Sequence, residues 1–184
     1  YAEAVAKFGD HDPAAGRKLF QDAKAKYGSK DALGWNLSWA RYLELTHDPQ
    51  AAETWTSIAN ANPKNLQVQQ MILQMQSVQS DRDLIAKTIE RLKALTGQDA
   101  LTWKLAQARL TLTGKPTDQD LAQISIQLKQ IIAQAGDLAE PYALLGECYD
   151  RLGNLDQAVS QLQTAIQKDP KNVSMAIYYA GLLQ

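Results

Sequence analysis

The sequence is poor in the residues that most often carry chemistry. It has one cysteine, Cys148, and two histidines, His11 and His47. A lone cysteine excludes an internal disulfide, and no Cys or His pair stands at zinc-ligand spacing. Charge of one sign is also missing. The formal net charge is −1 over 184 residues, which removes the attraction that a nucleic acid or an anionic surface would supply. No apolar run reaches the ~18 residues of a membrane-crossing helix, so no membrane insertion is expected. Alternating β-branched runs are absent, so nothing reads as a strand. Gly114-Lys115 lacks the flanking residues of a phosphate loop. A nucleophile elbow and a paired-carboxylate motif are missing too. No catalytic residue, metal or cofactor is therefore expected, and the chain reads as no enzyme. It starts at Tyr1 rather than Met and is read as a fragment of a longer protein.

What is present is helical periodicity. Hydrophobic residues make up 45% of the chain, with ten glycines and six prolines as punctuation. The intervals predict helices of about 12 to 18 residues. Residues 1–8 read as the end of a first helix. His11-Asp12-Pro13 is a turn in which Asp12 caps the next helix and Pro13 takes its first position. The helix over 13–27 places Ala15, Leu19, Phe20, Ala23 and Tyr27 inward, and Gly28 closes it. His47-Asp48-Pro49 recurs 36 residues after His11-Asp12-Pro13. At that offset Ala51, Trp55 and Ala59 match Ala15, Leu19 and Ala23. The only other metal-ligand types beside the two histidines are Asp12 and Asp48, which are better employed as caps. Asn62-Pro63-Lys64-Asn65 returns as Asp169-Pro170-Lys171-Asn172, 107 residues later.

Between these landmarks the spacing predicts a helix over 65–79, with Val68, Met71, Ile72, Met75 and Val78 inward. A helix capped by Ser80 or Asp81 follows, with Leu84, Ile85, Ile89, Leu92 and Leu95 inward and Gly97 at its end. Residues 98–113 carry Trp103, Leu105, Ala106, Leu110 and Leu112. Thr117 caps a helix with Leu121, Ile124, Leu128, Ile131 and Ile132 on one side. On its other side lie Gln119, Gln123, Gln127, Gln130 and Gln134, expected to form a solvated outer face. Cys148 reads as a small buried residue. Asn36-Leu37-Ser38 and Asn172-Val173-Ser174 match the glycosylation triplet, but both fall in predicted helices.

The most regular stretch is 140–171. Tyr142, Leu145, Gly146 and Tyr149 share one helix face. Gly153-Asn154 makes a turn, with Asn154 and Gln157 as an expected capping box. Ala158, Leu162, Ala165 and Pro170 follow. These residues stand at the spacing W-x2-L-G-x2-Y, A-x3-F and P, with Tyr for Trp and Leu for Phe. The stretch resembles a tetratricopeptide repeat, and that resemblance extends in weaker form to the rest of the chain. Trp103-x-Leu105-Ala106 is a displaced version of the same motif, its frame uncertain by one residue.

The resemblance implies an all-α solenoid: a right-handed superhelix of antiparallel helical hairpins, about five and a half repeats long. The expected repeats are 1–28, 29–64, 65–98, 99–138, 139–172 and the half repeat 173–184, in one array. It further implies a protein–protein interaction scaffold. First helices of each hairpin would line a groove receiving a peptide or folded partner. By that resemblance the groove residues are Arg41, with Leu37 and Glu44; Gln69, Leu73 and Gln76; Trp103 and Gln107, with Thr111; and Glu147, Asp150 and Arg151, with Glu140 and Ala143. The Lys-Asn-Arg clamp of repeats that hold acidic chaperone tails has no counterpart, so that partner class is not expected. Two alternatives stand beside the scaffold. One is an oligomerisation spacer in a larger assembly or envelope protein, self-associating through the apolar C-terminal helix. The other is a regulatory segment attached to an enzyme.

Overall fold

The computed structural model describes residues 12–27 and 32–183. The helix expected over residues 1–8, His11 and the closure at Gly28 lie outside the described residues. Every regular element among the described residues is helical. They are α1 (Pro13–Tyr27), α2 (Ala32–Leu45), α3 (Ala51–Ala61), α4 (Leu66–Ile72), a 3-10 turn (Gln76–Val78), α5 (Arg82–Thr96), α6 (Leu101–Leu112), α7 (Asp118–Gln134), α8 (Glu140–Arg151), α9 (Leu155–Lys168) and α10 (Val173–Leu182). They form an α-solenoid type of fold whose chain divides into two compact units, the first ending at Leu95 and the second starting at Thr96.

In the first unit the helix ends follow local chemistry. Asp12 Oδ1 accepts from Ala15 N at 2.9 Å, the expected cap. Asp81 rather than Ser80 caps α5, through Leu84 N at 2.9 Å. Asn62, the residue before Pro63, leaves the helical region at φ −127°. Asn65 then caps α4 by accepting from Val68 N at 3.2 Å. The second tetrad does the same work. Asn172 accepts from Met175 N at 3.1 Å, which commits that triplet asparagine to a cap.

Two expectations in this unit are corrected. Leu19 and Leu95, both expected inward, are each 37% exposed, whereas Phe20, expected inward with Leu19, is buried. Phe20 meets Trp35, Trp39 and Tyr42 at ring-centroid distances of 5.7, 5.3 and 6.1 Å. Phe20, not Leu19, therefore stands where Trp55 stands in the next hairpin. The helix expected over 65–79 is also broken. α4 ends at Ile72, Met75 is extended, and a 3-10 turn follows. Glu44 holds the broken stretch from outside the segment: its carboxylate accepts from Ser77 N at 3.0 Å and Ser77 Oγ at 2.5 Å. The Gln79 amide donates to Leu73 O and Met75 O, both at 3.0 Å, and so satisfies carbonyls that the break releases.

In the second unit Ala158, Leu162 and Ala165 of α9 are buried against Leu145 and Gly146 of α8. Thr117 caps α7 in a full box with Asp120, and these hydrogen bonds hold the Asp120 carboxyl below its ordinary pKa. Asn154 departs from expectation, since its side chain makes no cap bond. Its backbone is used instead: Gly153 N donates to Asp150 O at 2.9 Å and Asn154 N to Tyr149 O at 2.8 Å. That pair is a Schellman motif, with Gly153 at φ +76° in the left-handed position. The α2–α3 turn has the same bonds, His47 N to Glu44 O at 3.1 Å and Asp48 N to Leu43 O at 2.9 Å. Here the left-handed residue is His47, at φ +52°. The glutamine stripe of α7 is exposed at all five positions, while Leu121, Ile124, Leu128 and Ile131 are buried.

Candidate partner-binding surface

The groove residues expected in the first unit separate into two kinds. Gln69 and Leu73 are buried and cannot touch a partner, which corrects both. Gln69 Nε2 donates to Ala59 O at 3.0 Å and Asn62 O at 2.9 Å, and its Oε1 accepts from Arg91 at 3.4 Å. Its amide is committed to the carbonyls at the end of α3, because a buried polar group must find partners. Glu44 is likewise spent on Ser77 and on Trp55 Nε1, 3.0 Å away. Arg41 and Gln76 are exposed. Arg41 reaches Met71 Sδ at 3.7 Å.

The second unit holds the more complete surface. Helices α6, α8 and α10 are the first helices of successive hairpins, and side chains link them. Arg109 of α6 pairs with Glu140 of α8. Tyr178 of α10 donates to Asp150 of α8 at 2.5 Å. Burial and that bond push the Tyr178 phenol well above its ordinary pKa, so it remains a donor. One turn back, Arg151 pairs with Glu147 at 2.7 Å along the helix. Next to these groups lies a pocket of 370 Å³. Ala143, Leu144 and Met175 give it an apolar lining, and Arg109, Glu140 and Asp169 give it charge.

Of the expected residues, Glu147, Asp150 and Arg151 lie on α8 with the pocket residues Glu140 and Ala143. Trp103 and Gln107 do not line the pocket. Trp103 Nε1 donates back to Gly97 O at 2.9 Å, and Lys104 Nζ stands 5.8 Å from its ring. The frame of α6 is now fixed by burial: Leu105, Ala106 and Ala108 are buried as Leu145, Gly146 and Cys148 are. Trp103 therefore matches Ala143, not Tyr142. Sequence reasoning missed Arg109, Asp169 and Met175. Asp169 and Met175 flank the Pro170 turn that the motif marked, whereas nothing local tied Arg109 to Glu140, 31 residues on.

Cys148 is fully buried, and burial pushes its thiol up to about 11, away from a reactive thiolate. Among the described residues no cluster of three or more His, Cys, Asp or Glu side chains could hold a metal. No helix among them is long and apolar enough to cross a membrane.

Comparison with known proteins agrees with this geometry. A family model described as tetratricopeptide repeat matches residues 127–183. Anaphase-promoting complex subunit 3 of Dictyostelium discoideum is 58% identical over 31 residues, 17% of this chain and 3% of that protein. The chain thus spans a small part of that curated relative. Among solved structures, a thermophilic TPR protein of Thermus thermophilus matches with a TM-score of 0.58 at 18% identity, over 99% of this chain and 96% of its own. MamA (41-end) of Desulfovibrio magneticus RS-1 matches with a TM-score of 0.57 at 15% identity, over 83% and 84% of the two chains.

Proposed function

We propose that this chain, whose residues 127–183 match the tetratricopeptide repeat, is a protein–protein interaction scaffold that receives its partner on the α6–α8–α10 face of the second unit. Proteins built on this repeat are generally non-catalytic scaffolds, which favours the general role. The observation that carries the particular site is the 370 Å³ pocket, where an apolar lining meets Arg109, Glu140 and Asp169. Such a combination suits one apolar side chain of an extended segment, flanked by polar groups that set its direction. Asp150, Glu147 and Arg151 extend the face along α8, and Arg is a common interface anchor. Trp103 and Gln107 stay in this proposal as flanking contacts of that face, and Arg41 and Gln76 as separate exposed contacts of the first unit.

The test uses the chain as bait beside Ala143→Arg and Arg151→Glu variants. Ala143→Arg fills the pocket at a half-buried position, so circular dichroism must first show unchanged helicity. A specific protein retained by the wild type and lost by both variants supports the site. Equal retention by all three removes it.

The apolar last helix favours self-association as a second reading. Val173, Ile177 and Leu183 are 68%, 69% and 59% exposed. If this face joins two copies, sedimentation velocity shows a concentration-dependent dimer that Ile177→Glu abolishes. A strict monomer at high concentration rules the reading out.

A further inference from the structure

The α2–α3 turn has a histidine where its counterpart, the α8–α9 turn, has a glycine. Both turns close with the same pair of Schellman hydrogen bonds, and both need a left-handed residue at that point. Glycine meets the need without strain. A non-glycine residue there is uncommon, and residues held in such regions cluster at functional sites. His47 is exposed, so no packing of its ring explains why it stands there.

What surrounds His47 is a second pocket, of 460 Å³, formed by α1, the end of α2 and the turn itself. Arg17, Lys18 and Gln21 line it from α1, Tyr42 from α2, and His47 and Asp48 from the turn. Arg17 is held in place from several sides. It pairs with Asp48, donates to Gln50 Oε1 at 3.3 Å, and lies 5.6 Å from the centre of the Trp39 ring. Asp48 is in turn anchored by Gln50 N at 2.9 Å. Arg17 and Asp48 offset each other, which leaves Lys18 and the His47 ring as the pocket's remaining basic groups. Tyr42 supplies an uncharged phenol, because burial raises its pKa.

We infer that this pocket is an anion subsite. It takes a carboxylate or phosphate group on a side chain of a protein partner, which Lys18 and His47 contact over the fixed Arg17–Asp48 pair. The subsite lies in the first unit and is independent of the α6–α8–α10 face, so either can fail without the other. It accounts for His47 directly: the backbone strain is kept because the turn needs an imidazole there rather than a hydrogen.

The probes are N-acetyl-glutamate amide and N-acetyl-phosphoserine amide, titrated into the full chain and followed by amide chemical shifts. The expected result is saturable shifts centred on Lys18, Gln21, His47 and Asp48 with at least one probe. Which probe binds tells carboxylate from phosphate. His47→Gly and Lys18→Gln each weaken binding at least about five-fold, while His47→Gly raises Tm by about 2–4 °C through relief of strain. Shifts with no focus on these residues overturn the inference, as does wild-type affinity in His47→Gly.

Discussion

A methyl group placed on Gly146 would stand 2.7 Å from Leu162 Cγ and 3.2 Å from Ala158 O. The contact places the backbone of α8 directly against α9, and Ala158 and Leu162 are both fully buried there. Gly146→Ala gains about 1 kcal/mol of helix propensity. It also forces a shift at a packed helix contact, a class of change that costs about 1–3 kcal/mol. The net expectation is a loss of about 1 kcal/mol, and a larger loss for Gly146→Val. Thermal unfolding measures both. A Gly146→Ala chain more stable than the wild type would mean that the close approach is not limiting.

The amide of Gln69 should matter more than any glutamine of the α7 stripe. Gln69→Leu keeps the volume but removes one of two donors to each of Ala59 O and Asn62 O, the others being Arg91 at 3.1 Å and Asn65 N at 3.1 Å. Each lost hydrogen bond costs about 0.5–1.5 kcal/mol. Gln127→Ala, on the exposed stripe, should change stability by less than about 0.5 kcal/mol. Urea midpoints for the two variants separate these expectations, and similar midpoints would contradict the assignment of Gln69.

Stability should fall on the alkaline side. The Cys148 thiol has an ordinary value of 9.0 and is pushed up to about 11 in the folded chain by burial. The folded state therefore holds its proton where the unfolded state releases it. The stability from this group is complete below pH 9 and is lost as the pH rises through 11. Tyr178 and Tyr42 are raised by burial as well, and act in the same direction at higher pH. Urea midpoints measured from pH 7.5 to pH 10.5 should decline, less steeply in Cys148→Ala. A flat profile would mean that the thiol is more hydrated than its packing implies.

Thr117→Ala removes one half of the capping box at the start of α7. Its Oγ1 accepts from Asp120 N at 3.2 Å, and Asp120 Oδ2 returns a bond to Thr117 N at 2.9 Å. Loss of a cap of this kind costs about 1 kcal/mol. Thr117→Asp should recover most of it, whereas Thr117→Val should behave as the alanine variant does. Chemical denaturation of the three variants checks the order.

Most caps and the proline breaks were legible because each is made by residues within one turn of the chain. Asp12 and Thr117 bind amides three positions ahead, and Asn62 and Asp169 leave the helix because proline follows them. The α8–α9 hairpin was legible for the same reason, its glycine, turn and small residues being placed at fixed short spacing. The candidate surface was legible only along α8. Glu147, Asp150 and Arg151 follow from the face of one helix, but Arg109 and Met175 join them through packing between hairpins.

The sequence by itself determined the helical class and the position of most helix ends, since these depend on periodicity and on neighbours a few residues away. Tertiary structure alone decided three other matters. Glu44 holds the broken 65–79 stretch through Ser77, 33 residues distant. Of the two neighbours that spacing turned inward, Phe20 is buried and Leu19 is exposed, because three aromatic rings of α2 lie on the Phe20 side. Gln69 turns inward because the open carbonyls at the end of α3 lie within reach of its amide. Each outcome rests on a partner whose distance in space cannot be read from its distance in sequence, and buried polar and aromatic groups settle wherever such a partner satisfies them.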